Sequence, residues 1–361
     1  MKILVVMKRF GANKDMVMQN FGRQIRLFGP LAKKHKIDFL CPDYVKKESK
    51  LIKRKDIRFI IKPADFFSVF KFLKYLDDLI KKEDYDLVVA TTDPLIGVVC
   101  YKSSKKFNIP LIYDLQDNFE IYDTCKIPFV SYFHKKAVKD ADIVLVVSES
   151  LKKHISSIRK KLVYVIHNGI DLRLFKPINK IAARKKLKLS LNAKIIVFIG
   201  ALEKLKGFDV MIRAFNKIRE KYPDSYLLLS GKIDKGINIK RENVIFRKFP
   251  KREDVVLGIN AADVAIIPNP VNEFTKYSFP YKLVEYMACK VPIVATFVGD
   301  VPLMLKNYTG SLCKPNGADD LANKIIAKLN NYKRVDYSSQ LRKLDWKVLA
   351  GKLNKIIVGL R

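Results

Sequence analysis

Residues 274–299, from Phe274 to Gly299, read FTKYSFPYKLVEYMACKVPIVATFVG. The stretch divides into a polar loop broken by Pro280, then a helix, then a buried strand. Over residues 282–288, Leu283 and Met287 stand four apart with Tyr286 beside them, which is helical spacing. The run 291–296 is short, apolar and β-branched, and suits a strand inside a parallel sheet. A loop that feeds a helix start offers free N–H groups and the positive end of the helix dipole, so it suits an anion such as a diphosphate. Lys282 stands in the first helical turn, where a cation is unfavourable unless something negative faces it. Glu285, one turn on, is acceptor-only and suits ribose hydroxyls.

The same strand–helix alternation extends outward in both directions. Strands are expected at 2–7, 37–40, 86–91, 109–115, within 141–150 and 162–175, and then at 195–199, 226–231, 243–249 and 262–268. Helices are expected at 19–34, with Phe21, Ile25, Phe28 and Leu31 inward, and at 66–82, 180–188, 208–222 and 345–360. Such alternation predicts an α/β fold with mainly parallel sheets. In doubly wound sheets ligands bind at the carboxyl ends of strands, which draws attention to the loops there. The first carries Gly11 and Asn13; a lone glycine is not GxGxxG, so a nicotinamide fingerprint is absent. Asp114, Gln116 and Asp117 close the strand at 109–115, and either aspartate is placed to orient or deprotonate an acceptor hydroxyl, or to cap the helix that follows.

Composition sets the outer limits. The 361 residues exceed one ordinary domain and fit two. Half the chain is hydrophobic (49%), and no apolar run approaches the ~20 residues of a spanning helix. Five cysteines show no CxxC and no regular spacing, which predicts reduced, buried thiols and a cytoplasmic setting. Seventy Lys and Arg against 36 Asp and Glu give a net charge of +34, spread over both halves. That field attracts anionic membranes, phosphorylated ligands or nucleic acid, and it also fits a general lysine bias. No nucleic-acid module accompanies it, so nucleic acid is not the expected partner. The segment 66–82 carries Phe66, Phe67 and Phe70 beside Lys71 and Lys74, a pattern that suits either a core helix or an interfacial one on a membrane.

The motifs together resemble the retaining GT-B glycosyltransferases of family 4, the glycosyl transferases of group 1. Glu285 matches the second glutamate of that family's donor motif, Lys282 a phosphate-contacting position, and Glu285-Tyr286-Met287-Ala288 the helix continuation. The first glutamate falls on Tyr277, and the FG turn reads Phe279-Pro280 after Ser278. Gly200 through Gly207, GALEKLKG, resembles the element whose Arg and Lys grip the diphosphate; Lys206 and Gly207 match, while Ala201 takes the Arg position. Asn168-Gly169 with Asp171 resembles the end of the family's first domain. Many relatives place a histidine where Gln116 stands. Gly231, Arg247 and Lys248 fall where relatives hold the nucleotide. Asp140-Ala141-Asp142 mimics a metal-binding DxD but precedes a strand at its amino edge, and reads as structural.

The resemblance implies two Rossmann-like domains facing a cleft, with boundaries at 1–172, 173–343 and a returning helix at 344–361. It implies transfer of a sugar from a UDP- or GDP-linked donor to a hydroxyl acceptor with retention, with no metal and no bound cofactor. Lys206, Lys282 and Glu285 are the expected donor-side catalytic residues, with Asp114 or Asp117 assisting. Gly11, Asn13, Gln116, Asn168 and Gly169 are placed on the acceptor side. A lipid-linked or glycan acceptor and an anionic membrane surface are the implied partners, the protein sitting on the inner face of the cell membrane. Two alternatives stand beside this reading: a nucleotide-sugar epimerase of the same architecture, and a nucleotide-sugar-binding subunit that has lost turnover.

Overall fold

The computed structural model describes residues 1–11, 14–64 and 69–360. Contacts divide the chain into two units, Met1–Asn168 with Trp346–Arg361, and Gly169–Asp345.

The first unit is built on a sheet of eight strands. They derive from β1 (Lys2–Val6), β4 (Lys36–Asp43), β5 (Lys50–Arg54), β6 (Ile57–Pro63), β7 (Leu87–Thr91), β8 (Leu111–Leu115), β9 (Ile143–Val146) and β10 (Val163–Val165), with β2 (Phe10–Gly11) and β3 (Lys14–Asp15) forming a separate small hairpin. Their order is β10-β9-β8-β7-β1-β4-β6-β5, parallel throughout except where β5 runs antiparallel to β6. The central strands are continuous runs of Val, Ile and Leu because helices cover both faces, leaving no solvent side to alternate with. The chain leaves β1 toward β4 on one side and later returns to β7 on the other, so the strand order reverses between β1 and β7.

Local chemistry explains where this unit departs from the sequence expectation. The helix expected at 19–34 begins only at Arg23, because Gly22 adopts φ 112, and past Gly29 the segment containing Pro30 continues as a 3-10 turn. Ile25, Phe28 and Leu31 are buried as the spacing predicts. The lysine-rich stretch 46–55 contributes β5, an edge strand not among those expected, whose outward lysines discourage further pairing. The helix expected at 66–82 runs Val69–Glu83 and buries Phe72, Leu76, Leu79 and Ile80, while Phe70 is 72% exposed. Phe66 and Phe67 lie outside the described residues. The final helix, Trp346–Val358, places Leu349, Leu353 and Ile357 in one core with Ile25 and Phe28.

The second unit has six parallel strands: β11 (Ile195–Ile199), β12 (Tyr226–Ser230), β13 (Val244–Phe246), β14 (Val264–Ile267), β15 (Ile293–Thr296) and β16 (Leu312–Cys313). Their order, β13-β12-β11-β14-β15-β16, reverses at β11. The helix Phe208–Lys221 lays Met211, Phe215 and Ile218 on the sheet, and Ala318–Asn330 adds Leu321 and Ile325 to the same core. One element was not expected: within the loop before Pro280, Glu273–Tyr277 forms a short helix. Asn272 caps it, its Oδ1 accepting from Phe274 N at 3.1 Å and Thr275 N at 2.9 Å.

Candidate active site

The crevice at the reversal of an open α/β sheet is where backbone ends splay apart and a ligand fits. In the second unit that point lies between β11 and β14, and the decisive stretch 274–299 starts beside it. Three loops meet there by close backbone approach. A Cβ on Gly207 (φ 82) would stand 1.9 Å from the Pro268 carbonyl oxygen, so the loop after β11 presses on the loop after β14. Asn272 Nδ2 donates to Leu205 O at 3.0 Å and holds the same two loops together. Gly231, at the end of β12, lies directly against the carbonyl of Gly200.

Gly200 (φ 151) makes room for a side chain. A Cβ there would lie 2.2 Å from Lys282 Cε. The Lys282 Nζ sits 4.1 Å from the centroid of the Phe198 ring. Among the described residues no carboxylate is within ion-pair distance of it: Glu285 pairs with Arg252 at 3.3 Å, and Glu203 lies 3.9 Å from Lys206. Burial of the ammonium, reinforced by the charge of Lys206 and only partly offset by Glu203 and Glu285, brings its pKa down to about 7. A half-buried cation unmatched by a carboxylate is what a site for a strongly anionic ligand holds before the ligand arrives.

Two helix N-termini reinforce the field. Helix Tyr281–Ala288 starts after Pro280 and helix Phe208–Lys221 after Gly207, and neither has a side-chain cap. No side chain competes for the positive ends of these helices, which favour an anion, although Phe208 N is given to Glu203 O at 3.3 Å and Leu283 N to Pro280 O at 3.1 Å. The helix at 281 is fixed in place by Tyr286, whose hydroxyl accepts from Ile199 N at 2.9 Å, and by Leu283, Val284 and Met287 in the core.

The structure thus brings Gly200, Lys206, Gly207, Gly231, Lys282 and Glu285 to one sheet edge, with Ser278 and Pro280 in the turn leading to it. Tyr277 and Phe279 are buried, so at these positions the turn presents backbone and not a carboxylate. Arg247 and Lys248 are exposed past β13, two strands away from β11, and the Arg247 N–H is already given to Leu229 O. Three contributors escaped the sequence reading. Phe198 looked like any apolar strand residue, and Arg252 like a surface charge. Arg23 is the third.

Arg23 belongs to the first unit, whose own reversal lies between β1 and β7. It is buried and bonds bidentately to Asp114, with Nη2 to Oδ1 at 2.9 Å and Nε to Oδ2 at 3.1 Å. Its other nitrogen, Nη1, donates to His167 O at 2.9 Å and Asn168 Oδ1 at 3.2 Å. Asp114 is fully buried and committed to this pair, so the geometry gives it a positioning role and not that of a proton acceptor. Gln116 and Gln24 both donate to Thr91 Oγ1, at 2.6 Å and 3.1 Å. Asp117 is partly exposed and accepts from Tyr122 Oη at 3.1 Å. Gly11 lies in the β2–β3 hairpin, Asn13 is outside the described residues, and Gly169 opens the second unit. Asp140 and Asp142 are structural, accepting from Tyr101 Oη at 2.7 Å and Leu111 N at 2.8 Å. Among the described residues no group of three or more His, Cys, Asp or Glu is set to hold a metal ion, and no helix is long and apolar enough to cross a membrane.

Comparison with known proteins agrees with this construction. Two family profiles match in succession, Glycosyltransferase Family 4 over residues 29–174 and Glycosyl transferases group 1 over residues 179–343. The D-inositol 3-phosphate glycosyltransferase of Mycobacterium sp. (strain KMS) is 28% identical over 261 residues, 65% of this chain and 57% of the relative. That of Mycobacterium leprae (strain TN) is 27% identical over 60% of this chain and 54% of the relative. The match thus spans little more than half the length of these curated relatives. Among solved structures, sucrose-phosphate synthase from Thermosynechococcus elongatus superposes with a TM-score of 0.76 at 19% identity, over 99% of this chain and 98% of that one. Anabaena HepE in complex with UDP-glucose gives 0.74 at 18% identity, over 99% of each chain. At these identities the likeness shows the fold, which is GT-B. With both profiles matched in order along that fold, the chain belongs to the glycosyl transferases of group 1, GT-B enzymes of the family 4 type.

Proposed function

We propose that the protein transfers a sugar from a nucleotide-diphosphate sugar to a hydroxyl acceptor, with retention at the anomeric carbon. The observation that carries this reading is the Lys282 ammonium, seated over the bare α-carbon of Gly200, facing Lys206 and lacking a carboxylate. As the bond from the anomeric carbon to the β-phosphate oxygen breaks, negative charge grows on the departing diphosphate. Lys282, Lys206 and the two uncapped helix starts stabilise that charge in place. The acceptor oxygen bonds to the anomeric carbon on the face the diphosphate leaves, and its proton passes to a phosphate oxygen. No enzymic nucleophile is needed. Glu285, steadied by Arg252, takes the ribose hydroxyls. Asp117 is the carboxylate of the first unit that orients the acceptor, since Asp114 is held by Arg23. Because cations already meet the diphosphate charge, the reading includes no metal, and turnover should persist in EDTA.

HepE, solved with UDP and with UDP-glucose, favours a uridine donor over a guanosine one for the first trials. The acceptor in this reading is a lipid-linked glycan or similar glycoconjugate presented at an anionic membrane on the cytoplasmic side. The net charge of +34 and the outward Phe70 beside exposed Lys71 and Lys74 support it. Anionic vesicles should therefore retain the protein, and Phe70→Ser should weaken that retention.

Melting shifts across UDP- and GDP-sugars identify the donor, since a ligand bound only to the folded state raises apparent stability. Nucleotide release that requires added acceptor, with NMR showing the donor's anomeric configuration in the product, supports transfer with retention. Binding without turnover on any acceptor would favour a degenerate binding subunit, a rival motivated by the buried Tyr277 in place of a carboxylate. Conversion of the donor with no acceptor present would instead indicate an epimerase.

A further inference from the structure

The charged groups that act on Lys282 are Lys206, Glu203 and Glu285. From the loop after β11 come Lys206 and Glu203, which lie 3.9 Å from each other. From its own helix comes Glu285, engaged with Arg252 at 3.3 Å, and Tyr286, whose hydroxyl is occupied by Ile199 N. The loop after β14, residues 268–272, contains no ionisable side chain. The remaining wall is the ring of Phe198, itself 1% exposed, with its centroid 4.1 Å from Nζ. Each carboxylate in reach already has another cation closer to it. Among the described residues the aromatic face is therefore the favourable partner that belongs to Lys282 alone.

We propose that Phe198 is a positioning residue of this site, seating the Lys282 amine over Gly200 so that a diphosphate enters together with a proton that completes the ammonium. The inference rests on the reading of this edge as a diphosphate site. In the empty protein, burial and Lys206 leave the amine titrating near neutrality, at about 7. An arriving diphosphate reverses the local field and favours the charged form. The proton comes from solvent and resides on Nζ; no other bond forms or breaks. The ring's negative face also favours the ammonium, whereas an aliphatic side chain in its place would only exclude water.

The test is calorimetry of UDP-glucose binding to the full chain, in buffers of different ionisation enthalpy. This ligand's diphosphate diester carries no proton that titrates near neutrality, so any uptake is the protein's. Uptake should be slight at pH 6 and approach one proton per nucleotide at pH 8, with affinity falling toward tenfold per pH unit above about 7. Lys282→Arg, permanently charged, should bind at pH 8 with no uptake. Phe198→Leu, confirmed as folded by its melting curve, keeps the apolar wall but loses the ring face, and should move the midpoint to lower pH. Wild-type binding at pH 8 without proton uptake would overturn the coupling. An unchanged midpoint in Phe198→Leu would overturn the role of the ring. If no nucleotide binds at any pH, the donor reading fails first and the inference goes with it, an outcome distinct from the other two.

Discussion

The two sheet reversals in this protein have the same geometry and opposite electrostatics. Among the described residues, three cations at the first unit's reversal are matched: Arg23 with Asp114, Lys8 with Asp93, and Arg9 with Asp15, Asp43 and Glu48. In the second unit Lys282 has an aromatic ring and a like charge for neighbours. Matched charges at a loop cluster fix the loops, because removing either partner leaves the other buried and uncompensated. An unmatched charge fixes nothing and waits for a ligand. One reversal is therefore a scaffold and the other a receptor, though both come from the same strand-order rule.

That contrast breaks most readily at Arg23. Arg23→Ala leaves the Asp114 carboxylate fully buried without its guanidinium, and should destabilise the protein by about 3–5 kcal/mol. Denaturant unfolding followed by circular dichroism measures it. A loss within experimental noise would mean the pair does not hold the first unit's loops, and the scaffold half of the comparison would fall.

Lys282 should respond in activity instead. Lys282→Ala removes stabilisation made chiefly in the transition state and should cut turnover about a hundred- to a thousandfold, as loss of an oxyanion donor does. Lys206→Ala should fall in the same direction by less, since that side chain is partly shared with Glu203. Steady-state kinetics with a saturating UDP-sugar would decide, and near-wild-type turnover in both variants would remove the receptor half.

Stability then sharpens the distinction. A lysine whose folded pKa is lowered makes the fold less stable wherever the unfolded chain is charged. The penalty is complete below the folded pKa of about 7 and shrinks as pH rises toward the ordinary lysine value of 10.5. Lys282→Met should therefore stabilise the ligand-free protein near pH 6, and progressively less at pH 8 and 9. Melting curves across pH would show it. A variant that melts lower than wild type at pH 6 would mean the ammonium is matched after all.

Much of this was legible in the residues, and the limits have physical causes. The parallel sheets could be read because strands buried on both faces are unbroken runs such as ILVV and IIVFI, which leave little choice of secondary structure. Lys282 stood out because a first-turn cation is costly where nothing requires it, and Lys206, Gly200 and Gly207 because their stretch resembles the family's diphosphate element. Phe198 did not, since cation–π contact depends on which strand a later helix crosses, and spacing carries no record of that. Arg23 was hidden by its partner, 91 residues on. The hairpin at 50–63 was obscured because edge strands are selected for charge, which imitates a solvated loop. The short helix Glu273–Tyr277 did leave a signal in Asn272, an N-cap residue two positions before Phe274.

The smallest effect tests the seat itself. Gly200→Ala places a methyl group 2.2 Å from Lys282 Cε, but that atom is near the free end of a flexible chain and can swing away. The backbone cost at φ 151 should be about 1 kcal/mol, because an L side chain is strained there. Gly97→Ala in the first unit makes a similar 2.0 Å approach, to Tyr113 Oη, yet that tyrosine is fully buried and its ring cannot retreat. Its cost should be larger, about 1–3 kcal/mol of overpacking, and should appear in stability. Gly200→Ala should instead appear mainly in donor affinity, measured by calorimetry, because the displaced ammonium no longer stands where the diphosphate arrives. Equal losses of stability with unchanged donor affinity in Gly200→Ala would show that the glycine serves the backbone alone.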